Sequence, residues 1–404
     1  MMKFVDEGQA PGFVTAIARR GELVHYEAMG YMDVASRRPM LPDAIFRLHS
    51  QTKPVVGVAT MMLFEEGHFG LNDPIAAYLP EFSEMEILQD DGSRVKARPI
   101  TIKHLMTHTA GLSYYLYPET PVGKMYVDAG LVTNSARLNG TTCEQYVKKI
   151  ASLPLIAQPG TIWSYSEAMT VLGRLIEVIS GRSLGEFLKQ RLFTPLGMVD
   201  TNFYVPPEKI DRLATQYMQA PDGGLVEVPK DDISKGDYAS VSNDFSRPPS
   251  YEGGGSGLVG TAPDYLRFAQ MLLNGGELDG ERFLSPLTVD CMMSNHLGPE
   301  FGEAPLAAMG NYAWSTPGIG FGFCGLVVTD IVASGSTGSN GEYSWGGGAS
   351  TDFWIDRRQN LIGLVMTQLL VTGCIPSRER MHQMTYQGIV NSDWISSSQN
   401  ECVY

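Results

Sequence analysis

Positive charge is scarce in this chain: 30 Lys and Arg stand against 44 Asp and Glu, a formal net charge of −14 at pH 7. No basic cluster rises above that background, which argues against nucleic acid as a partner. Long apolar runs are missing as well. None reaches the roughly 18 residues needed to span a bilayer. The opening residues Met1-Met2-Lys3-Phe4-Val5-Asp6-Glu7 hold no apolar signal core. As it stands the chain is expected to be cytoplasmic. Cysteine is sparse: Cys143, Cys291, Cys324, Cys374 and Cys402 are odd in number, widely spaced and form no C-x-x-C. They fit reduced thiols better than a disulfide framework or a zinc site. No G-x-S-x-G elbow occurs, so Ser/His/Asp chemistry of the α/β-hydrolase kind has no anchor. Repeats and low-complexity segments are absent too. What remains is a globular composition, 43% hydrophobic and 18% charged over 404 residues, enough for one large or two ordinary domains.

Against that background one tetrapeptide stands out, Ser50-Gln51-Thr52-Lys53, followed by an apolar run that ends at Glu66-Gly67. A serine and a lysine three apart at the start of a helix share a face. That places an amine within reach of a hydroxyl, the minimum for a Ser/Lys nucleophile. Pro54, Val55, Val56, Val58, Ala59, Met61, Met62, Leu63 and Phe64 leave the helix almost no polar side, so it belongs inside a domain. The polar residues at its mouth are therefore delivered into a dry place.

Alternating runs at 13–19 and 23–30, joined by Arg20-Gly21-Glu22, read as a hairpin. The middle of the chain is mainly helical, with candidate helices at 102–107, 143–151, 169–180 and 184–192. Residues near 205–260 are loop-rich, a helix resumes at 263–274, and strands return at 320–329, 351–356 and 361–370. Strands at both ends around a helical middle predict an α/β (α+β) fold. Its antiparallel sheet is built from both termini and flanked by helices. The expected domains are 1–75 with 240–404 for the sheet and 76–239 for the helical insertion, with the active site in the cleft between them.

Two more segments carry chemistry. Trp163-Ser164-Tyr165-Ser166-Glu167 follows a turn at Gln158-Pro159-Gly160-Thr161 and precedes a helix, so the Tyr165 phenol can point into a cleft. Trp345-Gly346-Gly347-Gly348 precedes the strand at 351–356, and its glycines leave peptide N–H groups bare for a ligand. In this order S-x-x-K, the tyrosine segment and the small-residue triplet resemble the serine β-lactamase and penicillin-binding-protein superfamily. The nearest branch is the class C-like esterases known as family VIII carboxylesterases. Lys103 to Leu112, Pro195-Leu196-Gly197-Met198 and Gly254-Gly255-Ser256-Gly257-Leu258 are similar to further blocks of that family. The family's leading helix is largely missing from the start as written, which leaves the native N-terminus open.

The resemblance implies a β-lactamase/transpeptidase-like fold and an acyl-enzyme at Ser50. Lys53 and Tyr165 would exchange its proton, and the N–H groups of Ser50 and Gly348 would form the oxyanion hole. It implies no cofactor and no metal. Two departures matter. Tyr165-Ser166-Glu167 ends in a carboxylate where penicillin-recognising members carry Asn, and Trp345 replaces the cation of Lys-Thr-Gly. The second favours a neutral ester as the small-molecule substrate, with Trp345, Gly346 and Gly347 lining its site, and the resemblance to this branch implies a short acyl chain. The alternatives are a β-lactamase or D-aminopeptidase-like amidase, which would need a cation such as Arg247, an acyltransferase to an alcohol, and a binding protein without turnover. Neither composition nor motif fixes the oligomeric state.

Other motifs read as structural. His104 and His108 are four apart but lack the glutamate of a metalloprotease, and His49 is expected to pack. Glu167 reads as a solvated helix-start acid. The G-x-G-x-x-G matches at Gly255/Gly257/Gly260 and Gly320/Gly322/Gly325 lack the strand–turn–helix setting of dinucleotide binding.

Overall fold

In the computed structural model, residues 1–132, 137–221, 223–228, 244–302, 306 and 317–390 are described. Both ends of the chain enter one eight-stranded antiparallel sheet. Its strands are β1 (Gly12–Arg19), β2 (Glu22–Asp33), β3 (Arg38–Pro39), β4 (Ile319–Phe321), β5 (Leu326–Val328), β6 (Tyr343–Gly347), β7 (Thr351–Asp356) and β8 (Leu361–Met366). Their order across the sheet is β4-β5-β6-β7-β8-β1-β2-β3, so the last strand, β8, pairs with the first, β1. The expected sheet built from both termini is the one observed.

Both faces of the central strands are covered, which is why β1 is buried almost throughout. Val14 and Ala16 point into the main core, where α1 (Thr52–Glu65) lies. Phe13 and Ile17, on the other face, join Trp354 and Val365 against Met381 of α6 (Ser377–Gln387). Trp354 lies opposite Gly363, where a Cβ would sit 2.0 Å from the indole, so glycine is the residue that fits there. Every residue of α1 from Thr52 to Leu63 is buried, as a helix apolar all round must be. Against it packs α4 (Ala168–Ser180), which in turn carries α2 (Ile102–Met106) and α3 (Cys143–Ala151), while α5 (Ala262–Leu273) lies on β8, β1 and β7 of the sheet.

Several expected elements change form. The run 320–329 is a hairpin rather than one strand, because Gly322 N–H bonds the Gly325 carbonyl at 2.9 Å and Tyr343 fills the space beside Gly325. The run 361–370 breaks after Met366. Thr367 turns its hydroxyl to the Gly12 carbonyl and Gln368 binds the backbone of Arg47, so Leu369–Leu370 pairs with Tyr217–Gln219 instead. The helix at 184–192 is α-helical only over Leu184–Leu188 and widens into a π turn. Helices at Pro121–Asp128, Pro286–Met292 and Ser377–Gln387 were not among those expected. The expected domain boundary at 239/240 and Cys402 lie outside the described residues. Among the described residues, no helix is long and apolar enough to cross a membrane.

Candidate active site

Ser50 occupies a single 3-10 turn, His49–Gln51, that runs directly into α1. The chain enters the turn through His49 in the left-handed region (φ 45°), a conformation costing a non-glycine residue about 1–2 kcal/mol. The contact between His49 Nε2 and Gln216 Oε1 at 3.2 Å helps to hold it. Tyr265 of α5 donates to the Gln51 carbonyl at 3.0 Å, and Leu258 N–H donates to Thr52 Oγ1 at 3.2 Å. The turn is thus fixed from both sides. Ser50 is half-buried, whereas Lys53 is 1% exposed, and its Nζ lies 3.1 Å from Ser50 Oγ and 2.6 Å from the Gly255 carbonyl.

The segment carrying Tyr165 is held to the block that runs from His104 to Ser113. Gly160 N–H bonds the Thr109 carbonyl at 2.6 Å, Ser164 N–H the His108 carbonyl at 2.8 Å, and Glu167 N–H the Ser113 carbonyl at 3.2 Å. Ser166 N–H donates to His108 Nδ1 at 3.2 Å. The imidazole of His108 also packs on the Tyr165 ring, centroids 4.9 Å apart, with Trp163, Tyr114 and Trp345 completing an aromatic surround. The outcome is one contact: Tyr165 Oη donates to Ser50 Oγ at 2.6 Å. Lys53 Nζ lies 4.6 Å from the centre of the same ring.

Charge follows burial. Desolvation pulls the Lys53 ammonium down to about 7, against Glu167, which favours the charged form. The same cause brings His49 down to about 4 and His108 well below its ordinary value, so both are neutral. The Cys324 thiol is pushed up by burial. Burial thus weakens the hold of the Lys53 amine on its proton relative to an ordinary lysine. Glu167 is not the solvated acid expected from its place before a helix. It is 2% exposed, accepting hydrogen bonds from Tyr146 at 3.0 Å and Thr170 at 2.7 Å.

The glycine triplet lies ahead of the strand at 351–356, as read, and mostly within a strand of its own. Trp345, Gly346 and Gly347 form the end of β6, opposite Phe353, Asp352 and Thr351 of β7, and Gly348 begins the turn between them. The space beside these glycines is filled by the protein itself. A Cβ on Gly346 would lie 2.2 Å from Asp352 Oδ1, and one on Gly347 2.3 Å from the Leu48 carbonyl oxygen. Close packing within the protein accounts for glycine at 346 and 347. Because Leu48 precedes Ser50 by two residues, that contact brings the end of β6 up to the serine turn. Trp345 is 1% exposed, its indole against Tyr165 and Phe321 at 5.5 Å each. Arg247 is exposed and pairs with Asp244 at 3.1 Å.

His104 closes a capping box with Thr101 while His108 clamps the tyrosine segment, so their spacing serves two separate structural ends. Among the described residues, no group of three or more His, Cys, Asp and Glu could hold a metal ion. Two contributors went unread in the sequence. The Gly255 carbonyl lies within the quoted block 254–258, but a main-chain acceptor leaves no side-chain signature. The clamp by His108 was signalled only by its block resemblance.

A family model described as Beta-lactamase matches residues 1–378 of the chain. Esterase EstB of Burkholderia gladioli is 32% identical over 379 residues, covering 91% of this chain and 88% of that protein. Lovastatin esterase of Penicillium rubens is 30% identical over 391 residues, covering 91% of each. Among solved structures, EstCE1, described as a hydrolase with promiscuous acyltransferase activity, superposes with a TM-score of 0.79. It is 29% identical and covers 95% of this chain and 96% of that one.

Proposed function

We propose, for a chain that belongs to the beta-lactamase family, the hydrolysis of small, short-acyl carboxylic esters through an acyl-enzyme on Ser50. The observation that carries this reading is the placement of Ser50 Oγ between Tyr165 Oη at 2.6 Å and the buried Lys53 Nζ at 3.1 Å. The esterases among its relatives support the choice of substrate.

Ser50 Oγ attacks the ester carbonyl while its proton passes to the Lys53/Tyr165 pair. The bond from carbonyl carbon to alkoxy oxygen then breaks, and the pair returns that proton to the departing alcohol. Water repeats the sequence on the acyl-enzyme and releases the acid. Lys53 suits the exchange because burial brings it to about 7, where both protonation states are accessible near neutral pH. The N–H groups of Ser50 and Gly348 are the proposed oxyanion donors, each worth about 2.7–4 kcal/mol in the transition state. The contact of Gly347 with Leu48, which brings β6 to the serine turn, supports that role. Trp345 stands behind Tyr165, so its proposed influence on the substrate runs through the phenol it packs against. A small ester is the only partner this chemistry calls for.

The test is initial rates on p-nitrophenyl butyrate and a chromogenic cephalosporin, with wild type and Ser50→Ala in parallel. Fast ester turnover, little cephalosporin cleavage and a dead variant are expected. Comparable cephalosporin turnover moves the protein to the lactamases, and ester activity surviving in Ser50→Ala removes the mechanism. Transfer to an added alcohol is a second reading, favoured by the EstCE1 likeness, and an alcohol that raises the rate of acyl-enzyme breakdown would identify it.

A further inference from the structure

Glu167 is a carboxylate where solvent does not reach, and the chain has built a setting for it. Both oxygens are served: Tyr146 Oη donates to Oε1 at 3.0 Å and Thr170 Oγ1 to Oε2 at 2.7 Å. Thr170 Oγ1 in turn lies 3.2 Å from Tyr251 Oη, and the Tyr146 and Tyr251 rings stack with centroids 4.8 Å apart. With the Thr170 proton on Glu167, Tyr251 becomes the donor to Thr170, a relay directed at the carboxylate. The Lys53 amine feels the same carboxylate. Thr170 Oγ1 and Lys53 Nζ each lie 3.6 Å from the point where a Cβ on Gly255 would stand, so one glycine separates the two hydrogen-bonding systems. Through its charge on Lys53, Glu167 can act on the nucleophile.

We propose that Glu167 is a positioning residue, the buried counter-charge of Lys53, and that it sets the pH at which the Lys53/Tyr165 pair can accept the serine proton. The proposal rests on the Ser50 acyl-enzyme reading above. Its sign does not depend on which member of the pair is the resting base. A fixed negative charge holds a proton on the pair, so removing it lets the proton leave at lower pH. The direction found for Lys53, with Glu167 favouring the charged form against burial, agrees.

The other titratable groups facing this cluster do not change charge near neutrality. His49 and His108 are held neutral, and the hydroxyls of Tyr126 and Tyr251 and the Cys324 thiol are all pushed up by burial. The acid limb of activity therefore belongs to the pair and its counter-charge.

The experiment is the pH profile of kcat/KM for p-nitrophenyl butyrate between pH 5 and 9 with wild type, Glu167→Gln and Glu167→Asp, alongside Ser50→Ala and thermal melts. In wild type the rate rises with pH through about 7. Glu167→Gln keeps the shape and moves that limb to lower pH by about one unit or more. Glu167→Asp keeps the charge and leaves the limb near its wild-type position even if its melting temperature drops. A Gln limb at the wild-type pH overturns the proposal. So does an Asp limb displaced as far as the Gln limb, and this second comparison still decides if the Gln variant does not fold, with displacement of a unit as the criterion. A purely structural Glu167 lowers the rate and the melting temperature without moving the limb. Ester activity in Ser50→Ala, by contrast, defeats the underlying mechanism and is read from a separate protein.

Discussion

Removing one oxygen atom tests the centre of the mechanism. In Tyr165→Phe the ring stays in its surround of His108, Trp163, Tyr114 and Trp345, and the 2.6 Å contact to Ser50 Oγ is lost. If the phenol carries the proton, general acid–base catalysis of about 100- to 10,000-fold disappears from kcat/KM, roughly 3–5 kcal/mol of barrier. Stability loses far less. A hydrogen bond to a half-buried serine is worth about 1 kcal/mol, which shifts the melting temperature of a chain this large by no more than about 2–4 °C. The assay is kcat/KM on p-nitrophenyl butyrate with a melting curve on the same preparation. Tyr165→Ala calibrates the other extreme: deleting a buried ring costs about 3–5 kcal/mol, so melting temperature and activity fall together. A loss below tenfold in Tyr165→Phe, with the melt unchanged, refutes proton transfer by the phenol and leaves Lys53 alone in that role.

Two further substitutions probe the ground on which the site stands. Asp352 is 6% exposed, and burial raises its carboxyl to about 7 although Arg378 lies 3.8 Å away. The folded chain thus holds a proton that the unfolded chain gives up near pH 4, so this contribution to stability is present below about pH 4 and lost as pH rises to about 7. The full gap corresponds to roughly 4 kcal/mol. Asp352→Asn is expected to stabilise the protein by about 2–4 kcal/mol at pH 8, allowing for the partner lost by Arg378, and by almost nothing at pH 4; urea unfolding at both pH values checks it, and an equal effect at the two counts against it. Gly347→Ala places a methyl 2.3 Å from the Leu48 carbonyl oxygen and 2.4 Å from Thr351 Oγ1, so the backbone must move. A cost of about 1–3 kcal/mol, with a fall in kcat of about 100-fold as a donor leaves its place, is the expected result, and a variant with unchanged kcat detaches the β6 turn from catalysis.

What could be read in advance divides along physical lines. The Ser50 and Lys53 contact depends on three residues of local geometry, so the tetrapeptide and its apolar helix announced it. The paired terminal strands showed as alternating or continuous apolar runs, and Gly181 marked the end of α4, where it takes the left-handed conformation with φ 66°. Glu167 was misjudged for the opposite reason. Position before a helix says that an acid is favourable there, but its burial comes from Tyr146 and Tyr251, 21 residues before it and 84 after. The hairpin at β4 and β5 was missed because the apolar residues between the glycines read as one strand, whereas Gly322 and Gly325 form its turn and the Tyr343 ring, brought up by the neighbouring strand, fills the place of a side chain on Gly325. The glycines of β6 make the same point: bare backbone in a sequence does not say who approaches it, and here the approaching atoms belong to Leu48, Thr351 and Asp352.

That distinction bears on how the site is tuned. The residues that act on Ser50 directly are legible because few side chains can move a proton at that spacing. The Gly255 carbonyl, 202 residues from Lys53 in the chain, meets the same amine through its main chain, and the Glu167 carboxylate is proposed to act on it through charge. Substitutions at Ser50, Lys53 or Tyr165 should therefore abolish the reaction, whereas substitutions in the outer set should leave the reaction intact and move the pH at which it runs. A chain could in this way shift its working pH by changing the residue at position 167 while the Ser/Lys/Tyr arrangement stays fixed, because the counter-charge and the nucleophile are held by different elements.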